Sequence, residues 1–218
     1  MKLFKFLLFL FSMTAFSQEI IKLPLPKTKG EKSLEELLFS RRSRRKYKKT
    51  PLKLEEVSQI LWAAYGMTAS WGGKTTPSAG ALYPLKIYLV VGNVLNLERG
   101  IYQYQPQKHC LIKISSQDRR EQLYESALRQ EWVKKAAVDI IACADFSKTT
   151  KRYGERGKRY IYMEAGHSAQ NIYLEAEALN LATVVVGAFD DEKVKEALKV
   201  KSVPLYIMPI GRRKDGAF

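Results

Sequence analysis

Cysteine and histidine are scarce: Cys110, Cys143 and two histidines are all that 218 residues carry. Two thiols do not make a disulfide framework. Each lies in an apolar stretch that reads as a strand, so both are expected as buried free thiols. Four such residues at unrelated spacings offer no structural zinc site. Long apolar runs are missing as well, and the N-terminal one, Phe6 to Phe11, is too short to span a bilayer comfortably. Repeats and low-complexity tracts are absent, which excludes solenoids and fibrous chains. Acids are few, 22 against 37 lysines and arginines, for a net charge of +15. That excess admits an anionic partner, yet the lysines are spread along most of the chain, as on a solvated surface.

What is present fits one globular domain. The chain is 46% hydrophobic and 27% charged, the balance of a soluble protein with a buried core. Residues 1–17 stand apart. Lys2 and Lys5 precede the apolar run, Ser12-Met13-Thr14 is more polar, and Ala15 and Ser17 place small residues where a signal peptidase cuts. A secretory signal peptide is expected, with a mature terminus at Gln18 and an exported, periplasmic or extracellular protein. Its removal takes two lysines and no acid, lowering the net charge from +15 to +13. Retention as an anchor is the alternative, and the one route to a membrane.

Residues 18–32, with Pro24, Pro26 and Gly30, read as an extended linker, and 214–218 as a tail. Ser33-Leu34-Glu35-Glu36 is a capping box opening a short helix through Phe39. A second helix starts at Thr50-Pro51, carries Leu54, Val57, Leu61 and Tyr65 on one face, and ends at Gly66. The pattern then predicts strands at Ile87–Val91, Ile101–Tyr104, Leu111–Ile114, Val138–Ala144, Thr183–Val186 and Leu205–Ile210. Helices are predicted near Asp118–Arg129, Tyr160–Leu179 and Asp191–Leu198, with a basic loop from Lys148 to Arg159. Hairpin-like strands mixed with long helices indicate an α+β fold.

Five segments carry the chemistry. Arg41-Arg42-Ser43-Arg44-Arg45 places guanidinium forks and a hydroxyl where a helix passes into extended chain, a set able to converge on a phosphate. Alone, it reads rather as a solvated charge run or a patch for polyanions, and the segments that follow reverse this. Thr76-Pro77-Ser78-Ala79-Gly80-Ala81-Leu82-Tyr83-Pro84 is a stiff loop of small residues that lets backbone approach a flat ligand. Glu164-Ala165-Gly166-His167-Ser168-Ala169-Gln170-Asn171 lies on the long helix, where small residues suit close packing and His167 reads as structural. Val186-Gly187-Ala188-Phe189 and Pro209-Ile210-Gly211-Arg212-Arg213 each follow or end a strand.

Taken in order over residues 33–213, these segments resemble the nitroreductase superfamily, in particular its SagB-type (thiazole/oxazole oxidase-like) branch. The resemblance implies an α+β fold with a central mixed or antiparallel sheet flanked by helices, FMN as cofactor, NAD(P)H as electron donor, and a homodimer with flavins at the subunit interface. It also implies residue roles. Arg41 and Ser43 meet the FMN phosphate and ribityl chain, with Arg42 beside them and Gly211, Arg212 or Arg213 returning to the same phosphate. Arg45 lies near the pyrimidine end of the ring. Pro77, Ser78, Ala79, Gly80 and Ala81 line the ring, where Ala81 replaces the asparagine of many relatives as the SagB-type branch does. Gly187 and Ala188 present backbone near N5.

One departure bears on the reaction. Azoline oxidases of that branch use a Lys-Tyr pair ahead of Gly-x-Arg-Gly for proton removal, whereas this chain has Arg152-Tyr153-Gly154-Glu155-Arg156-Gly157. An arginine keeps its proton at working pH and cannot be that base, so Arg152 and Tyr153 are catalytic candidates that argue against azoline chemistry. The expected reaction is two-electron reduction of a small nitro, quinone or similar conjugated acceptor. Azoline dehydrogenation of peptides, and a non-enzymatic module that binds anionic surfaces through residues 41–49, are the alternatives. Nucleic acid is not the expected partner.

Overall fold

The structure is a computed structural model and describes residues 19–214. The segment 1–17, expected as a signal peptide, and all but the first residue of the 214–218 tail therefore lie outside the described residues. In chain order the elements are β1 (Ile20–Lys22), α1 (Leu34–Ser40), β2 (Tyr47–Lys48), α2 (Leu54–Tyr65), β3 (Leu85–Val91), β4 (Gly100–Gln105), β5 (Cys110–Ser115), α3 (Arg120–Ser126), α4 (Glu131–Lys135), β6 (Val138–Ala144), α5 (Phe146–Tyr153), α6 (Arg156–Ala178), β7 (Leu181–Thr183), α7 (Asp191–Leu198) and β8 (Val203–Arg213).

One sheet runs in the order β1-β5-β4-β3-β6-β8-β2, with β7 also paired to β8. Every strand pair is antiparallel. Strand β3 shows why the sheet is central. Leu85, Ile87, Leu89 and Val91 join a core shared with α2 and α6, while Tyr88 and Val90 join a second core under α3, α4 and α7. Alternate residues of a strand face opposite ways, so helices on both faces demand the unbroken apolar run seen in the sequence.

The α+β expectation holds, and several boundaries move. The stretch expected as an extended linker contains β1, paired to β5 at the sheet edge. It is held further on by Gln59, whose amide both accepts from Lys27 N (2.8 Å) and donates to Lys27 O (3.0 Å). The second helix begins at Leu54 rather than Thr50. The strand expected at Thr183–Val186 is Leu181–Thr183, followed by a single bridge at Val186.

The basic loop is the clearest correction. Residues 146–153 are helix α5, capped by Asp145 and stopped at Gly154, whose φ of 55° suits glycine. Phe146 packs on the core and Thr149 is buried, so the charged stretch has an inner face after all. Both cysteines are free and buried, as expected.

A carboxyl group is sealed in this framework without a hydrogen-bond partner. Asp139 of β6 is fully buried and neither of its oxygens is bonded. Desolvation pushes its pKa well above the usual carboxylate range, with nearby Arg120 pulling the other way and Asp118 adding to the rise. The unfolded chain ionises this carboxyl near pH 3.8 while the folded chain holds the proton. Stability is therefore lost as pH rises above that value. Asp139→Asn should gain stability over wild type as pH rises from 4 towards neutral, by up to about 1.4 kcal/mol per pH unit. Urea titrations at several pH values would check this, and a constant difference would contradict it.

Candidate active site

Helix α6 carries two clusters of chemistry-bearing residues, one on each half. The C-terminal half holds Tyr173, whose hydroxyl bonds Ser43 Oγ (2.8 Å) and accepts from Val185 N (2.9 Å). That phenol ties the 41–45 segment to the chain leaving β7. Arg44 N bonds Thr183 O at 2.8 Å and reinforces the tie. The Arg41 guanidinium stacks over the Tyr173 ring at 5.0 Å and that of Arg45 over Trp132 at 5.2 Å. Among the described residues neither has a carboxylate partner, so their N–H edges stay open to an anion. Arg42 bonds the carbonyls of Phe39 and Arg41. Arg44 is turned inward against Glu177 (3.6 Å).

The C-terminal strand does come to this place. Tyr47 pairs with Arg213 and Lys48 with Arg212 in the β2–β8 register. A Cβ at Gly211 would lie 2.8 Å from the Tyr47 ring, so only glycine lets β2 seat so closely. The two arginines are already paired, however. Arg212 grips Glu56 with both terminal nitrogens (2.7 and 2.8 Å), and Arg213 spends Nη1 on Glu177 (2.9 Å). Gly187 and Ala188 follow close by, and Ala188 O accepts from the Gln130 side chain at 2.9 Å. Gln130 and Trp132, at the head of α4, are site residues that the sequence reading missed. No motif marks them.

The second cluster lies around the small-residue loop. Glu164, on the N-terminal half of α6, is buried and accepts from Tyr65 OH (2.6 Å) and Ser78 Oγ (2.5 Å). Ser78 Oγ in turn accepts from Tyr83 N at 2.9 Å, and Asn171 donates to Thr75 O at 3.1 Å. These bonds hold Pro77 to Ala81 in a tight turn in which Gly80 and Ala81 have φ of 61° and 53°. Burial raises the Glu164 pKa despite those donors.

Arg152 and Tyr153 close over the same loop. A Cβ at Gly80 would sit 2.6 Å from Tyr153 OH and 2.9 Å from Arg152 Nη1. The glycines after them explain this placement. Gly154 ends α5, and Gly157 brings α6 so near that its Cβ would lie 3.0 Å from the Thr149 backbone. His167, expected to be structural, is exposed on α6. Lys74 was missed as well. Its ammonium lies over the rings of Tyr65 (3.7 Å) and Tyr83 (4.7 Å). The described residues contain no group of His, Cys, Asp and Glu able to hold a metal ion.

The two clusters do not meet within one chain. Glu164 and Tyr173 are nine residues apart on one helix, which at 1.5 Å per residue separates them by about 14 Å. Apolar side chains stand exposed beside both: Leu34, Leu38 and Phe39 on α1, which buries nothing, and Tyr162 and Met163 on α6.

Comparisons with known proteins identify the family. A family model described as the nitroreductase family matches residues 38–212. A provisionally named nitroreductase of Methanocaldococcus jannaschii is 48% identical over 183 residues, 84% of this chain and 92% of that protein. The microcin B17-processing protein McbC of Escherichia coli is 28% identical over 148 residues, 64% of this chain and 54% of McbC. A solved structure from Anabaena variabilis, again provisionally named a nitroreductase, superposes with a TM-score of 0.80 at 29% identity. It covers 90% of this chain, which spans 42% of that one.

Proposed function

Since the chain belongs to the nitroreductase family, we propose that it is an FMN-dependent oxidoreductase that reduces a small nitro, quinone or similar conjugated acceptor. The observation that carries this reading is the pair Arg41 and Arg45, each stacked on an aromatic ring with Ser43 between them and, among the described residues, no carboxylate attached. The Arg41 edge and the Ser43 hydroxyl suit a phosphate monoester, and the Arg45 edge suits the ring end that turns negative on reduction. Trp132 and the backbone of 185–188 offer a flat, close wall beside them. When bound, FMN supplies reversible two-electron chemistry, with reduced nicotinamide as the donor.

Each residue then has a task. Arg41 and Ser43 hold the phosphate end. Of the C-terminal pair, Arg213 is the better phosphate partner, because Arg212 has committed its whole fork to Glu56. Arg45 sets a positive charge where negative charge develops on reduction. Pro77, Ser78, Ala79, Gly80 and Ala81 form the facing wall. We place that wall across a homodimer interface, because the two clusters lie apart in one chain while α1 and α6 expose apolar side chains next to them. The chain is further proposed to be exported after cleavage behind Ser17, which intact-mass analysis of secreted material would check.

A second reading has one observation behind it, the likeness to a microcin-processing protein. Azoline oxidation requires a base with an accessible neutral form, and Arg152 is not one. The acceptor-reducing reading is tested by supplying reduced nicotinamide with a quinone or nitro compound to FMN-loaded protein. Nicotinamide oxidation that depends on the acceptor supports it, and none with either acceptor class overturns it.

A further inference from the structure

A cleft of about 440 Å³ opens beside the small-residue loop. Its walls include the aromatic side chains of Tyr65, Tyr83, Tyr104 and Trp71, the last 76% exposed at the rim. Three lysines, Lys74, Lys86 and Lys148, enter it from the loop, from β3 and from α5, and no Asp or Glu lines it. None of the three makes an ion pair among the described residues. Walls of this kind bury a flat apolar body, and converging ammonium groups require an anion at its edge.

We propose that this cleft is a binding site for a small planar aromatic carboxylate, with Lys74 as its principal cation. The proposal deepens the acceptor-reducing reading by naming the chemical class of the acceptor, and rests on that reading only for the electron transfer after binding. The Lys74 ammonium rests over the two tyrosine rings and lines the cleft, within reach of an anion bound there. The charged groups around it are Glu164 of α6, behind the tyrosines, and Lys148 of α5. Asp145 lies near Lys86 and Lys148 at the head of α5. Burial lowers the Lys74 pKa to about 8, with Lys148 adding to the fall and Glu164 opposing it. A ligand carboxylate would supply the charge that the neighbouring lysine makes necessary. It would also displace water from an aromatic slot.

The test is equilibrium binding, with no turnover involved. The full chain loaded with FMN is titrated by calorimetry with 4-nitrobenzoate and, separately, with 4-nitrobenzamide, which has nearly the same shape without the charge. At pH 7 the carboxylate should bind at least ~10-fold more tightly, as a charge-assisted hydrogen bond provides. That preference should narrow by pH 9.5, where Lys74 has lost its proton while the ligand remains ionised. Lys74→Gln should abolish most of the preference and leave the visible flavin spectrum unchanged.

Equal affinities in wild type, or a preference that persists unchanged in Lys74→Gln, would overturn the proposal. Should the variant fail to fold, the wild-type pH series decides, and a preference undiminished at pH 9.5 counts against it. A protein that prefers the carboxylate yet reduces neither nitro compounds nor quinones would sink the acceptor-reducing reading alone.

Discussion

Wild-type protein loaded with FMN should show no measurable azoline dehydrogenation on a peptide substrate that a lysine-bearing relative oxidises readily. Removing a carbon-bound proton as hydride departs needs a base that can exist unprotonated. Arg152 lies against the small-residue loop next to Tyr153, 2.9 Å from where a Gly80 Cβ would be. Both side chains therefore reach the loop that the resemblance assigns to the flavin ring, but a guanidinium holds its proton throughout the working range. General-base catalysis contributes roughly 10²–10⁴ in rate, so its loss takes azoline turnover below detection while leaving quinone reduction intact. Arg152→Lys should retain flavin, because the proposed phosphate contacts gather beside the other half of α6, at Tyr173 and Glu177. Azoline turnover in wild type equal to that of the lysine-bearing relative would mean that the substitution is harmless.

Replacing Arg41 and Arg45 together by alanine should weaken FMN binding by at least ~100-fold, since hydrogen bonds to charged groups are worth about 1.5–3 kcal/mol each. Riboflavin, which lacks the phosphate, should lose only the share that Arg45 contributes at the ring. Both guanidinium groups rest on aromatic rings and pair with no carboxylate among the described residues, so their removal leaves no buried acid there unpaired. Arg212→Ala, by contrast, strips Glu56 of both its bonds from that fork and should cost stability before it costs flavin. Thermal melts of each variant without flavin separate the two effects. A double variant that binds FMN like wild type would remove the phosphate site from the account.

Local signals in the sequence suffice where one segment sets its own structure. The Ser33–Glu36 capping box starts α1 with both of its reciprocal bonds formed. Val138–Ala144 and Asp191–Leu198 fall on the boundaries expected for them, the first from an unbroken apolar run and the second from its acidic first turn. Helix α5 is hidden because its inner face rests on Phe146 and Thr149 amid lysines, and threonine is not counted apolar.

The site divides in the same way. Arg41, Ser43, Gly187 and Ala188 are assigned to the site through segments whose order is characteristic. The contacts that give them partners span the chain: Ser43 with Tyr173, Arg45 with Trp132, Ala188 with Gln130, Glu164 with Tyr65 and Ser78. Such pairings are set by sheet order and helix placement, and one sequence does not reveal them. Glu164 stands within a recognisable motif, but its burial against two hydroxyls emerges only once α2, the loop and α6 are packed together.

The central claim is that residues 41–45 and the chain after β7 build a flavin site whose phosphate is held by Arg41 and Ser43. Titrating flavin-free protein with FMN and with riboflavin, followed by the visible absorption of the bound ring, tests it most directly. FMN should bind at least ~10-fold more tightly at low salt, and the gap should shrink as salt screens the guanidinium groups. Equal affinity for the two flavins at every salt concentration would contradict it.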